Sequence, residues 1–379
     1  MKKIMYNLII IVFIVISLLS ACDEAPLLKY FMDAMDDNAV IAETTTTVST
    51  AQDETIPAGA TGAAGTTGAT GSAGAAGSTN AADSANLEEA VPATPIVYFT
   101  ANISPEGLMA AYKALGASPT GNVAVKISTG EPPNSNYLRP DLIKDLVQYV
   151  GGTLVECNTA YGGKRASNAM HLQVAKDHGY TDIADFDLQD ADGEISLPVT
   201  GGEILKENFV GANFVNYDYY IILSHFKGHA MAGYGGAIKN ISIGMASSSG
   251  KSWIHSGGKN KKGVSGDQDN FLKSMAEAGK SVSDSLDGNI LYINVMNRLS
   301  VDCDCNGNPA EPDMHDIGIL ASFDPVAVDQ ACLDMVYAAD DSASLVKRIE
   351  SRNGHLTVEH GEAIGLGSMT YALENIDDG

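Results

Sequence analysis

Between residues 216 and 258 the chain reads NYDYYIILSHFKGHAMAGYGGAIKNISIGMASSSGKSWIHSGG, with three histidines (His225, His229, His255) and three lysines (Lys227, Lys239, Lys251). Near neutral pH an imidazole can accept a proton, donate one, or ligate a metal. A lysine amine held away from water can lose its proton and attack an electrophilic carbon. His229 and Lys239 are therefore candidates for catalysis, and His225 and His255 for metal ligation. Each residue alone has a plainer reading, as a histidine bonded to backbone or a solvated lysine. Six together, interleaved with Gly233, Gly235 and Gly236, argue for a site where backbone approaches a ligand closely. His225 and His229, four apart, share a face if the segment is helical. The apolar run Tyr219 to Leu223 reads as a buried strand that delivers His225 at its end.

Two smaller groups lie elsewhere. AYGGKR, residues 160–165, places two glycines, Lys164 and Arg165 just ahead of an expected helix. Free N–H groups and the positive end of a helix suit an anion. Lys164 and Arg165, with Arg139, would clamp a carboxylate or phosphate; the alternative is a glycine turn with solvated cations. The phosphate-loop spacing Gly-x-x-x-x-Gly-Lys-Ser/Thr is missing. Cys303 and Cys305 flank Asp304. Two thiolates so spaced can chelate a soft metal, nickel, iron or zinc, with Asp302, Asp304 or His315 nearby. A disulfide and a plain turn are the other readings. Cys157, at a strand end, joins them in space or packs as a small buried residue, and Cys332 belongs to a core helix. Trp253 is expected to wall the pocket, and His355 and His360 to lie at the surface or cap helices.

The elements that must carry these groups alternate along the chain. IVYFT, NVAVKIS and TLVEC read as strands. Between them come helices opening at Ser104-Pro105 and Arg139-Pro140, with a third reaching His178; Ser as cap and Pro in the first turn are helix-start signals. EISLPV reads as an edge strand or hairpin. A basic loop, residues 259–266, precedes an amphipathic helix from Phe271 to Leu286. NILYINV and DIGILAS are further strands, and Asp324-Pro325 opens a helix through Tyr337. Leu345–Glu350 and Thr357–Ile364 also read as helical. The fold class expected is α/β, a mostly parallel sheet covered by helices, in one lobe or two. Ligands collect at the carboxyl ends of strands in such sheets, which puts residues 128–137, 158–165 and 225–239 on one edge.

The ends of the chain set the context. MKKIMYNLIIIVFIVISLLSAC has two lysines, an apolar stretch and Leu-Ser-Ala-Cys. That reads as a secretory leader, residues 1–21, with Cys22 as the lipidated first residue of an exported lipoprotein; the alternative is an uncleaved transmembrane anchor, for which the apolar run is short. The expected location is the outer face of a bacterial cytoplasmic membrane or the cell surface, with the membrane engaged through the lipid. A short amphipathic helix follows Cys22. Residues 22–94 form a linker rich in Thr, Ala and Gly that cannot bury enough apolar surface to fold. From Gly59 glycine recurs every third residue, the spacing of collagen but without its proline; the reading is a flexible spacer, with a trimeric stalk as the alternative. The ectodomain spans 95–379. The formal net charge is −24, which repels phosphate backbones and argues against a nucleic-acid partner.

From Pro95 onward the phrases VYFTANISPEGL, VAVKISTGEP, VECNTAYGGKR, LSHFKGHAMAGYGGAIKNISIGMAS, VDCDCNGNPAEPDMHDIGILASFDPVAVDQAC and RIESRNG closely resemble the family named domain of unknown function 362. A fainter resemblance is to the nickel-pincer lactate racemases. His229, Ala232, Gly233, Gly235, Gly236, Lys239 and His255 follow that family's order and spacing. The resemblance implies that Lys239 tethers a cofactor covalently, that His255 ligates its metal, and that proton or hydride chemistry occurs beside a hydroxyl carbon. Where that family places a second catalytic histidine, TAYGGKRAS offers Lys164 and Arg165. The functions expected are an enzyme acting on a small anionic substrate, or a metal- or ligand-binding lipoprotein without turnover. A surface adhesin, suggested only by the glycine repeat, leaves the histidine–lysine cluster unexplained.

Overall fold

The structure, a computed structural model, describes residues 93–377. The leader, Cys22, the helix expected after it and nearly all of the linker lie outside the described residues. The chain enters with β1 (Ile96–Thr100), α1 (Pro105–Ala114), β2 (Val123–Lys126), α2 (Pro140–Tyr149), β3 (Thr153–Glu156), α3 (Asn168–Asp177) and β4 (Phe186–Leu188). A hairpin, β5 (Glu194–Pro198) and β6 (Glu207–Gly211), precedes β7 (Tyr219–His225). A second, tight hairpin joins β8 (Lys227–His229) and β9 (Gly233–Gly235), followed by α4 (Ala237–Lys239), a π-helical turn at Asn240–Gly244, and α5 (Ser248–His255). Then come α6 (Gln268–Leu286), β10 (Ile290–Met296), β11 (Gly318–Ser322), α7 (Pro325–Ala338), α8 (Ala343–Ser351), α9 (Leu356–Ala363) and β12 (Ala372–Asn375).

Eight strands form one sheet in the order β12-β1-β11-β10-β7-β2-β3-β4. Only β11 runs against its neighbours; every other pairing in the sheet is parallel. The described residues form one unit around this sheet rather than two lobes. Every residue of β7 and β10 is buried, because helices cover both faces, which is why these strands read as unbroken apolar runs. Side chains alternate between two cores. Tyr219, Ile221 and Leu223 join Leu108, Ile143 and Leu146 of α1 and α2 on one side. Tyr220 and Ile222 join Val282 of α6, Val326 of α7 and Val358 of α9 on the other. Each such side chain contributes roughly 1.5–3 kcal/mol when fully buried.

Helix starts obey local chemistry. Ser104 Oγ accepts from the Gly107 N–H, Asp267 from Asn270, and Asp324 from Val326 and Ala327. Pro105, Pro140 and Pro325 sit at first helical positions, where no N–H is needed. Two expectations change. His225 and His229 are not on a helix: His225 ends β7 and His229 ends β8. His360 is buried rather than at the surface, its Nε2 3.0 Å from Glu277 Oε1, which also accepts the Glu203 N–H at 2.7 Å.

The order of strands places the site. From β2 the chain moves to β3 on one side, and from β7 it proceeds to β10 on the other, yet β2 and β7 are neighbours. A crevice opens at the carboxyl ends of such a pair, because the connections leave in opposite directions.

Candidate functional site

In that crevice lies a cavity of about 230 Å³. β2 contributes Lys126, β3 Glu156, β7 His225, β8 Lys227 and His229, α4 Lys239, and α5 Lys251 and His255. The loop after β10 closes one wall with Cys303, Asp304 and Cys305, and AYGGKR contributes Tyr161 and Arg165. Tyr161 ties these two loops together: its hydroxyl accepts from Arg165 Nη2 and donates to the Cys305 carbonyl, each at 3.3 Å.

Five basic side chains, Lys126, Arg165, Lys227, Lys239 and Lys251, line this space against two carboxylates, Glu156 and Asp304. Glu131 holds Arg165 from behind at 3.1 Å, and cations still outnumber acids. Glu156 is 4% exposed, 3.1 Å from Lys126 Nζ and 3.5 Å from Arg165 Nη1. It also accepts the N–H groups of Thr129 and Cys157. Burial alone would raise its pKa; the Lys126 charge, helped by His171 and Arg165, holds it down to about 2. Asp304 is likewise held well below the carboxylate range, burial being outweighed by His225 and Lys227 at 2.9 and 3.1 Å. For Lys126 the balance tips the other way, and burial lowers its pKa despite Glu156.

Lys239 differs from the other cations. Lys126 donates to Glu156, the Ile127 carbonyl and Asn240. Lys227 donates to the His225 carbonyl at 2.7 Å and Lys251 to the Ala246 carbonyl at 2.6 Å. No protein oxygen among the described residues accepts from Lys239. Burial, with the repulsion of Lys227, lowers its pKa to about 7. The backbone is shaped around it. A Cβ at Gly235 would lie 3.1 Å from Lys239 Cδ, and one at Gly236 would lie 2.3 Å from Asp329 Oδ1. Asp329 accepts the N–H groups of Ala237 and Ile238 at 2.7 and 3.0 Å, fixing the turn that carries Lys239.

The histidines divide by their hydrogen bonds. His225 faces acceptors on both sides, Asp304 at Nδ1 and the Asn297 carbonyl at Nε2, 2.6 Å away. Both nitrogens thus face an acceptor within hydrogen-bond distance. His229 Nδ1 instead accepts from the N–H groups of Met231 and Ala232, at 3.2 and 2.9 Å. The neutral ring therefore carries its proton on Nε2 as a donor; burial and the Lys239 charge keep its pKa well below the usual value. His255 Nδ1 donates to the Lys251 carbonyl at 2.6 Å, its ring stacks on Phe271, and Nε2 keeps its lone pair. Burial lowers the His255 pKa to about 4.

Cys303 and Cys305 are joined as a disulfide. Ligand atoms of His229, Cys303 and Cys305 lie within 4.8 Å of one another, a group that could hold a metal ion. Cys157 also lines the cavity, but burial pushes its thiol up to about 12. Cys332 lies in the core of α7.

Thus His225, His229, Lys239, His255, Cys303, Cys305 and Arg165 meet in one cavity. Lys164 is exposed and does not line the cavity. Arg139 lies elsewhere, its guanidinium stacked 4.6 Å from the Tyr137 ring centre and donating to the Ser135 carbonyl. Trp253 does not wall the cavity: it packs on Phe209, and its indole N–H bonds the Glu207 carbonyl. Lys126 and Glu156 escaped the sequence reading, as did Asn240 and Asp329. The overlooked signal is a charged residue closing a buried strand, as in VAVK and TLVE.

The family described as domain of unknown function (DUF362) matches residues 123–334. No curated protein matches the chain. Among solved structures, the lactate racemase apoprotein from Thermoanaerobacterium thermosaccharolyticum is 14% identical with a TM-score of 0.40, over 63% of this chain and 56% of that one. A Thermotoga maritima protein is 11% identical with a TM-score of 0.35, over 68% and 58%. The chain thus spans less than two thirds of either structure's length.

Proposed function

The chain belongs to the DUF362 family, and from that footing we propose that its cavity binds a small organic anion and performs proton or hydride chemistry on it. The observation that carries the reading is the charge imbalance of the cavity: four cations, with the Lys239 amine beside them, against two carboxylates, in a protein of net charge −24. Such a cavity stabilises negative charge that develops on a bound substrate. His229 donates from Nε2 to a substrate oxygen, and the neutral Lys239 amine takes up a proton. In this reading a lipid on Cys22 holds the domain at the outer face of the cytoplasmic membrane or at the cell surface.

The order His229, Lys239, His255 also implies a metal-bearing cofactor. The residues fit one, since among the described residues the Lys239 amine has no acceptor and His255 Nε2 has no partner. Lys239 would carry the tether and His255 would ligate the metal; such a group, when bound, supplies a hydride acceptor. Lys227 and Arg165 would orient the substrate carboxylate.

Thermal unfolding tests the anion reading. Lactate, oxalate and phosphate at ~100-fold above Kd are expected to raise Tm by about 5–10 °C, an effect that NaCl weakens. Equal shifts with neutral glycerol, or none with any anion, would overturn it.

A second reading is favoured by the cluster of His229, Cys303 and Cys305. Their sulfurs cannot be a disulfide and a ligand pair at once, so metal binding there requires reduction, and a metal on His229 Nε2 displaces its proton. After reduction, zinc is expected to bind stoichiometrically to the wild type and not to Cys303→Ser. Equal zinc uptake by oxidised protein would sink this reading.

A further inference from the structure

We propose that Lys239 forms an imine with the carbonyl carbon of a 2-oxo acid whose carboxylate is held by the other cations of the cavity. This deepens the anion-binding reading and rests on it.

The argument begins with partners. Lys126, Arg165 and Lys227 each contact a carboxylate, and Lys251 donates to a carbonyl. Lys239 lines the same cavity, and no oxygen among the described residues accepts from it. An ammonium in a confined space beside other cations, with no accepting oxygen among the described residues, is costly, so the site favours the neutral, nucleophilic amine. Its placement is built rather than incidental. Asp329, itself fully buried, pins the first turn of α4 through two backbone N–H groups. The glycine pair before that turn leaves room for the lysine stem and for Asp329.

What surrounds the amine selects the electrophile. The neighbouring cations suit a carboxylate. His229 can donate only from Nε2, because two backbone N–H groups point at Nδ1. A donor near the amine suits an oxygen that must leave. A molecule with a carboxylate beside a carbonyl uses all three features.

The step balances without a further reagent. Lys239 Nζ adds to the carbonyl carbon and a C–N bond forms. The two amine protons pass to the carbonyl oxygen, the C–O bond breaks and water departs, leaving C=N. His229 relays a proton to the departing oxygen and regains one from the nitrogen.

The test is reductive trapping on the intact purified chain. Protein is incubated with pyruvate and sodium borohydride, then weighed by mass spectrometry and mapped by peptide. The expected result is a single carboxyethyl adduct on the peptide containing Lys239, absent when lactate replaces pyruvate and suppressed when excess lactate competes. Lys239→Met is expected to lose the adduct and the exposed Lys262→Met to keep it. Mapping of the wild type locates the adduct even if Lys239→Met misfolds. Pyruvate that binds by calorimetry without trapping overturns the imine and leaves the anion reading standing. No binding at all removes both. Adducts scattered over surface lysines, or a Lys239 already modified in the protein as isolated, also overturn the imine.

Discussion

Glu156→Gln is expected to destabilise the fold by about 3 kcal/mol in urea denaturation. Breaking a buried ion pair by removing one partner costs roughly 3–5 kcal/mol, because the other charge is left uncompensated. Lys126 and Arg165 are 1% and 3% exposed and both face Glu156. The lower end applies, since Lys126 keeps the Ile127 carbonyl and Asn240, and Arg165 keeps Glu131. Glutamine preserves the volume, so the loss reports charge rather than a cavity. The pH profile gives an independent check. Glu156 titrates at about 2 in the folded state and near ~4.3 unfolded. Its stabilisation is complete above the unfolded value and is lost as pH falls through the folded one. In the variant, the decline in stability between those two values should shrink by on the order of 3 kcal/mol. An acid limb identical to the wild type would contradict the ion-pair account.

A second large effect should appear in amine reactivity. With its pKa lowered to about 7, about half of Lys239 is free amine at neutral pH, against roughly one part in 2,500 for an ordinary lysine at ~10.4. Pulse labelling with acetic anhydride should acylate Lys239 about 10²–10³-fold faster than exposed Lys262 at pH 7, with convergence near pH 10. A midpoint near 10 would show that the amine is solvated or paired. The same shift bears on stability. Between pH 7 and ~10.4 the unfolded chain holds a proton on Lys239 that the folded chain has released, so this residue's contribution to stability rises with pH over that window.

Much of the fold is legible along the chain because its determinants are local. Apolar runs such as Tyr219–Leu223, and helix starts such as Ser104-Pro105, carry their own signal. The hairpin of β8 and β9 was hidden, since KGH and GYG are short and glycine-rich, and the segment reads as a loop. The opposed direction of β11 was hidden too, because pairing depends on partners far apart in sequence.

The site divides the same way. His229, Lys239 and His255 stand close enough in sequence for their types and spacing to be read as one group. Lys126, Glu156 and Asp304 are single charges in three separate segments, and only the adjacency of β2, β3 and β7 makes them one network. Arg139, grouped with the anion-binding cations on charge alone, ends beside Tyr137 instead. Residue types and spacing determined which chemistry was on offer. Tertiary structure decided which groups met, what each histidine nitrogen faced, and which cavity lysine had no accepting oxygen among the described residues. Those outcomes depend on burial and on hydrogen bonds between distant segments, and neither exists until the sheet has assembled.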